Sequence, residues 1–230
     1  MSVLIVVAHP DDEVLGCGAT GAAIAAQGGK VRACMMCAQA NARAGRPAES
    51  ELLEDTRRAQ QLLGFGIPIL GSFPNIRLNT VPHLELVQFI EHAIVETGAT
   101  TVFTHHPSDI NDDHAQTARA CLAAARLSQR RPDIAKLRHV FYMEILSSTD
   151  WSFPGNGVPF RADTFFEAGP HMEKKFAALR AYRGVMRPFP HPRSEEIVRG
   201  LAAYRGGQSG LAHAEAFESA FGILDVHEFV

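Results

Sequence analysis

The stretch VVAHPDDEVLGCGAT, residues 6–20, decides the fold. The apolar, β-branched run Val3–Ala8 predicts a strand covered on both faces. It ends abruptly in His9-Pro10-Asp11-Asp12-Glu13 and turns glycine-rich. Leu15–Ala26 then has helical spacing with many small residues, and Gly28-Gly29 ends it. A buried strand feeding straight into a helix is the first half of a βαβ unit.

The same alternation continues outward from this stretch. Val31–Ala38 reads as a second buried strand and Glu51–Leu63 as an amphipathic helix with Ser50 as its cap. A short strand at Ile67–Leu70, a helix at Val81–Glu96, a strand at Thr100–Thr104, a helix at Asp113–Arg126 and a strand at Val140–Ile145 follow. This order predicts an α/β fold, Rossmann-like, with a mostly parallel sheet and helices on both faces. Beyond Ser147 the pattern changes. Trp151–Arg161 reads as a loop, Met172–Arg183 as a helix, Arg187–Ser194 as a proline-stiffened loop and Ser194–Arg205 as a helix. Gly206–Gly210 reads as flexible, with a short tail strand near Gly222–Val226. The chain reads as one domain over 1–230, a core at 1–146 and a C-terminal, substrate-side extension with extra helices at 147–230.

Composition narrows the function. Lys and Arg number 22 against 25 Asp and Glu, a net charge of −3, which makes no electrostatic case for a nucleic-acid binder. No segment approaches the ~18 uninterrupted apolar residues a membrane span needs, and the N-terminus lacks a basic signal-like start. The expectation is a soluble, cytoplasmic protein. Cys17, Cys34, Cys37 and Cys121 fit reduced core thiols; the CxxC spacing of Cys34 and Cys37 lies inside an apolar run, not at a helix start.

In open α/β sheets the ligand crevice lies beyond the carboxyl ends of the strands. His9–Glu13 sits at such an end. Three acidic groups crowded there repel one another unless a cation neutralises them, and a helix N-terminus supplies only about half a charge. A divalent metal does better. His9 and Asp12 are N and O donors suited to Zn²⁺, which leaves Asp11 beside the metal as a candidate base. Pro10 limits the freedom of the loop. A catalytic zinc needs a third protein ligand and an open position. A second dense cluster, His105-His106-Pro107-Ser108-Asp109-Ile110-Asn111-Asp112-Asp113-His114, follows the Thr100–Thr104 strand at the same sheet edge.

AHPDDEVLGCGAT and THHPSDINDDH together resemble the paired signatures of the PIG-L/LmbE-like zinc de-N-acetylases. The likeness continues through Phe73–Leu78, Glu144–Trp151, Arg187–Ser194 and Ala214–Phe217. It implies a Rossmann-like fold and hydrolysis of an N-acyl group, usually acetyl, from an amino sugar or its conjugate. By motif position it implies that His9, Asp12 and His114 ligate zinc, that Asp11 is the general base and that Asp113 orients a neighbouring group. It also implies homo-oligomers; the aromatic loop Trp151–Phe160 is our expected contact. Many members carry a histidine acid where this chain has Asn111, so His105, His106 or His191 is expected to supply the acid, and His105, His106 or Asn111 to help hold the oxyanion. Asn75, Ile76 and Asn79 likewise replace expected acidic or amide residues around Arg77.

Other residues at the predicted ligand side are Arg77, Asn111, Glu144 and His191, read as substrate contacts. Trp151, Phe153 and Phe160 offer sugar stacking or core packing. His83, His92, His139, His171, His213 and His227 lack metal-spaced partners and read as structural. A His₂Asp site also accepts Fe²⁺, Co²⁺ or Mn²⁺. The alternatives are a deacylase of a thiol-linked, nucleotide-linked or antibiotic intermediate, and a non-catalytic metal- or nucleotide-binding module. The nucleotide-binding module is disfavoured because the first turn lacks GxGxxG.

Overall fold

The computed structural model describes residues 1–39, 48–153 and 157–225. In chain order it contains β1 (Ser2–Val7), α1 (Asp12–Ala26), β2 (Lys30–Met35), α2 (Glu49–Leu63), β3 (Ile69–Leu70), α3 (His83–Thr97), β4 (Thr101–His105), α4 (Asp112–Ala125), α5 (Leu127–Arg130), β5 (His139–Met143), β6 (Thr164–Glu167), α6 (Met172–Ala181), α7 (Glu195–Ser209) and β7 (Ala214–Gly222). One seven-stranded sheet runs β3-β2-β1-β4-β5-β7-β6. The first five are parallel; β7 pairs antiparallel with both β5 and β6.

Strand β1 shows why the sheet is covered on both faces. Its side chains alternate, so Val3, Ile5 and Val7 join a core under α1, α2, α6 and α7. Leu4 and Val6 join the opposite core under α3 and α4. Each fully buried aliphatic side chain contributes about 1.5–3 kcal/mol. Chain order leaves β1 in one direction towards β2 and β3, then returns to β4 on its other side. The carboxyl ends of β1 and β4 therefore flank a topological switch point, where open α/β sheets hold their ligands.

Helix α1 begins at Asp12, ahead of the predicted start at Leu15, and is broken at Cys17 (φ −140°, ψ 15°). The break exposes backbone groups that an unbroken helix would satisfy itself. Lys175 Nζ donates to Leu15 O at 2.7 Å, while the Glu215 carboxylate accepts from Ala19 N at 3.0 Å and Thr20 N at 2.7 Å. Lys175 and Glu215 also pair with each other at 2.7 Å, buried. Gly21 is required for packing here: a Cβ would stand 2.3 Å from Phe65 Cζ.

The structure differs from expectation in three places in the C-terminal half and at the start of α2. The tail strand is β7, which begins at Ala214 rather than near Gly222 and pairs along its length with β5 and β6. Strand β6 lies where the sequence predicts no element; it is short and only partly buried. Gly206 and Gly207 lie within α7, which runs on to Ser209. Ser50 does not cap α2; Ala48 precedes the helix, and Glu51 reaches back to its N–H at 2.7 Å. Residues 154–156 of the Trp151–Arg161 loop, Val226 and His227 lie outside the described residues. All four cysteines are buried, and burial pushes the Cys34 and Cys37 thiols up. Among the described residues no helix is long and apolar enough to cross a membrane.

Candidate metal centre

The β1–α1 turn presents the first two candidate ligands, His9 and Asp12. Asp11 stands at the N-cap position of α1 with φ 100°, a left-handed conformation that costs a non-glycine residue about 1–3 kcal/mol. Its side chain makes no capping hydrogen bond, so helix capping does not explain it. Asp12 opens the helix, and its Oδ2 accepts from His9 N at 3.1 Å. The third residue comes from α4, whose N-cap Asn111 accepts from Asp113 N at 3.0 Å.

His9 Nδ1, Asp12 Oδ2 and His114 Nε2 form a nearly equilateral triangle. Its edges are 3.3 Å between the two imidazoles, 3.4 Å from His9 to Asp12 and 3.2 Å from His114 to Asp12. A tetrahedral edge is about 1.6 times the bond, so zinc bonds of ~2.0–2.1 Å require donors about 3.3–3.4 Å apart. The triangle already has that size. The opposite ring nitrogens are committed elsewhere: His9 Nε2 to Asp113 Oδ2 at 3.0 Å, and His114 Nδ1 to Asp109 Oδ2 at 3.1 Å. Each histidine thus donates behind itself, which leaves the nitrogen facing Asp12 as the one that would ligate an ion once its proton has left. Asp12 Oδ1 is buried and accepts no hydrogen bond from any described residue.

The electrostatics favour a cation. Burial alone would push the pKa of His114 down, yet Asp12 and Asp109 pull it up to about 10. His9 is raised as well, against the same burial, by Asp113 and Asp12. Asp12 is held well below the carboxylate range, burial being outweighed by His114 and His9. Glu13 goes the other way: burial, with Asp11 and Asp12 nearby, pushes it up to about 8 against the hydrogen bond from Tyr182. The donor set, its spacing and this field fit a divalent ion; the chemistry of two imidazoles and a carboxylate suits zinc.

The other predicted residues are distributed as follows. Asp113 orients His9, and is itself fixed by Ile76 N at 2.5 Å and Leu78 N at 3.0 Å. His105 is not placed to supply an acid. Its Nε2 accepts from Ala8 N at 2.8 Å, its ring stacks on His114 at 3.8 Å, and burial pushes its pKa down to about 3. His106 faces Glu218 at 3.5 Å and Tyr142, and its Nδ1 accepts from Ser108 N. Glu144 is held by Arg205 through two hydrogen bonds of 2.7 and 2.6 Å, so its charge is spent in a structural pair. Asn111 uses its oxygen as a cap. Arg77 is exposed and makes no ion pair with a described residue. His191 lies 6.2 Å from Trp151, ring to ring, and burial and Arg193 lower its pKa.

Three contributors leave little trace in the sequence. Asp109 holds His114 and accepts from the Ser148 and Thr149 hydroxyls. Ser148 Oγ also lies 3.3 Å from His114 Nδ1. Arg193 Nη1 stands 3.4 Å from Asp11 Oδ2. The hydroxyl run Ser147-Ser148-Thr149 at the carboxyl end of β5 is the available signal for the second.

A family model described as GlcNAc-PI de-N-acetylase, the PIG-L family, matches residues 4–125, more than half of the chain, from within β1 to the end of α4. The chain belongs to the PIG-L family. Solved structures extend the likeness over its full length. The conserved protein TT1542 from Thermus thermophilus is 26% identical, with TM-score 0.76 over 97% of this chain and 96% of that one. The N,N'-diacetylchitobiose deacetylase from Pyrococcus horikoshii is 17% identical, with TM-score 0.75 over 100% and 88%. GalB, a 4-carboxy-2-hydroxymuconate hydratase from Pseudomonas putida, is 20% identical, with TM-score 0.78 over 97% and 98%. The last two share the PIG-L fold with this chain, and that alone. No curated protein matches.

Proposed function

We propose that the protein is a metal-dependent hydrolase that removes an N-acetyl group from an amino sugar or its conjugate. The observation that carries this is the His9–Asp12–His114 triangle, set at the spacing of a tetrahedral metal, in a PIG-L family chain with Asp11 adjoining it. His9 Nδ1, Asp12 Oδ2 and His114 Nε2 would hold the ion, zinc by preference. Bound there, it would supply Lewis acidity for an amide carbonyl and for water.

The chain's own residues then have defined tasks. Asp11 takes a proton from the attacking water and returns it to the departing amine, so one carboxylate serves as base and then acid. Two other candidates support that reading: His105 has its Nε2 occupied and its pKa pushed down to about 3, and His106 faces Glu218. Asp113 and Asp109 fix the two imidazoles. Arg77 and His191 remain the substrate contacts we favour, on the extension and loops that border the site. We read residues 147–230 as the substrate-side part of one domain, since they bring Ser148 and Arg193 to the centre.

A hydratase of the same fold means that fold does not choose the reaction. Acetate release does. The purified protein is expected to release acetate from N-acetylglucosamine or its short oligomers and conjugates. Metal-loaded protein that releases no acetate across such a panel contradicts the reading. Activity confined to acylated thiol or antibiotic intermediates moves the substrate and keeps the chemistry.

A further inference from the structure

Amide hydrolysis builds negative charge on the carbonyl oxygen, and the histidines expected to meet it are committed elsewhere. His105 accepts from the backbone and His106 faces Glu218. Arg193 brings a positive group against the base, its Nη1 3.4 Å from Asp11 Oδ2. We propose that Arg193 is the anion-stabilising residue of this site: its guanidinium receives the negative charge that develops on the substrate beside Asp11. The proposal rests on the hydrolase reading above.

The guanidinium is fixed on several sides. Its Nε donates to Ser147 Oγ at 2.8 Å, with Leu146 O at 3.4 Å. Its main-chain N donates to His191 Nδ1 at 3.0 Å, and its carbonyl accepts from Arg187 N at 3.2 Å. Pro188, Pro190 and Pro192 stiffen the same loop, so little entropy remains to be lost on binding. Nη1 faces Asp11, and Nη2 makes no hydrogen bond to a described residue. The side chain is only 14% exposed, which removes most of the water that would screen its charge. A substrate close enough to Asp11 for proton transfer lies within reach of Nη1 and Nη2.

The chemistry balances without a proton from arginine. The water oxygen bonds to the carbonyl carbon and its proton passes to Asp11. The C–N bond then breaks and that proton goes to the amine nitrogen. Arg193 keeps all its protons, as a guanidinium must, and supplies charge alone. Planar, weakly hydrated and fork-shaped, it suits an oxyanion better than lysine does.

Two measurements on the metal-containing enzyme test this. Arg193→Ala is expected to lower kcat about 10²- to 10³-fold, with KM within about threefold and metal content unchanged. Added methylguanidinium is expected to restore activity at least about tenfold. A kcat within about threefold of the parent, or a change in KM alone, overturns the proposal. The second readout needs no turnover: calorimetric binding of methylphosphonate, a small tetrahedral anion. The parent is expected to bind at least about tenfold more tightly than Arg193→Ala, a difference of roughly 1.4 kcal/mol. Equal binding, or none to the parent, overturns it. Should the parent release no acetate from any acylated sugar yet show this difference, the hydrolase reading falls and the anion site stands.

Discussion

Asp113 lies behind His9 at 3.0 Å, while its chain neighbour His114 stands in front, 3.3 Å from the same imidazole on its other nitrogen. One turn of α4 therefore grips the β1 loop from both sides. Asp109 repeats the device behind His114 at 3.1 Å. Each ring is oriented by a carboxylate before any ion arrives, which restricts the tautomer and the direction of the ligating lone pair.

Asp113→Ala and Asp109→Ala are each expected to weaken metal affinity about 10- to 100-fold while leaving the fold intact. His114→Ala is expected to lose the metal outright. Competition with a chromogenic chelator measures both; unchanged affinity in the two aspartate variants refutes the orienting role.

Asp11→Asn keeps the shape of the side chain and removes its basicity. Metal content should stay at the parental level and kcat should fall about 10²- to 10⁴-fold. Turnover comparable to the parent would take the base role away from Asp11.

Metal uptake should release protons. In the metal-free protein the His114 pKa is raised to about 10, so the ring is protonated at neutral pH. A ligating imidazole must be neutral, so binding expels that proton, and affinity rises with pH, by about tenfold per unit for each proton released. Calorimetry in buffers of different ionisation enthalpy reads the number directly. No proton release near pH 7 would contradict the assignment of His114.

The strand–helix alternation is legible because β1, β2 and β4 are apolar runs with both faces covered, which periodicity reports well. β6 is not: Thr164–Glu167 is short, partly exposed and paired only with β7. β7 is masked by Glu215, a charge in a buried position that makes sense only once Lys175 and the break in α1 are known. At the site, the proposed ligands His9, Asp12 and His114 lie in two dense motifs that stand out in the sequence. Asp109 with Ser148 and Arg193 with Asp11 cannot, because their partners are 39 and 182 residues away. Single residues with remote partners leave no local pattern.

The buried Lys175–Glu215 pair has its own consequence. Glu215→Leu leaves Lys175 charged and unpaired inside the protein and uncaps Ala19 and Thr20, a loss of about 3–5 kcal/mol. Glu144→Gln, at the half-buried Arg205 pair, should cost less and leave KM unchanged. Chemical denaturation and steady-state kinetics check the contrast; a raised KM for Glu144→Gln would return that residue to the substrate site.

Anomalous diffraction from crystals of the active enzyme, recorded on either side of the zinc absorption edge, bears on the central claim most directly. One peak is predicted, within coordination distance of His9 Nδ1, Asp12 Oδ2 and His114 Nε2 together. A peak bound elsewhere, or active crystals in which those three atoms surround no metal, would contradict it.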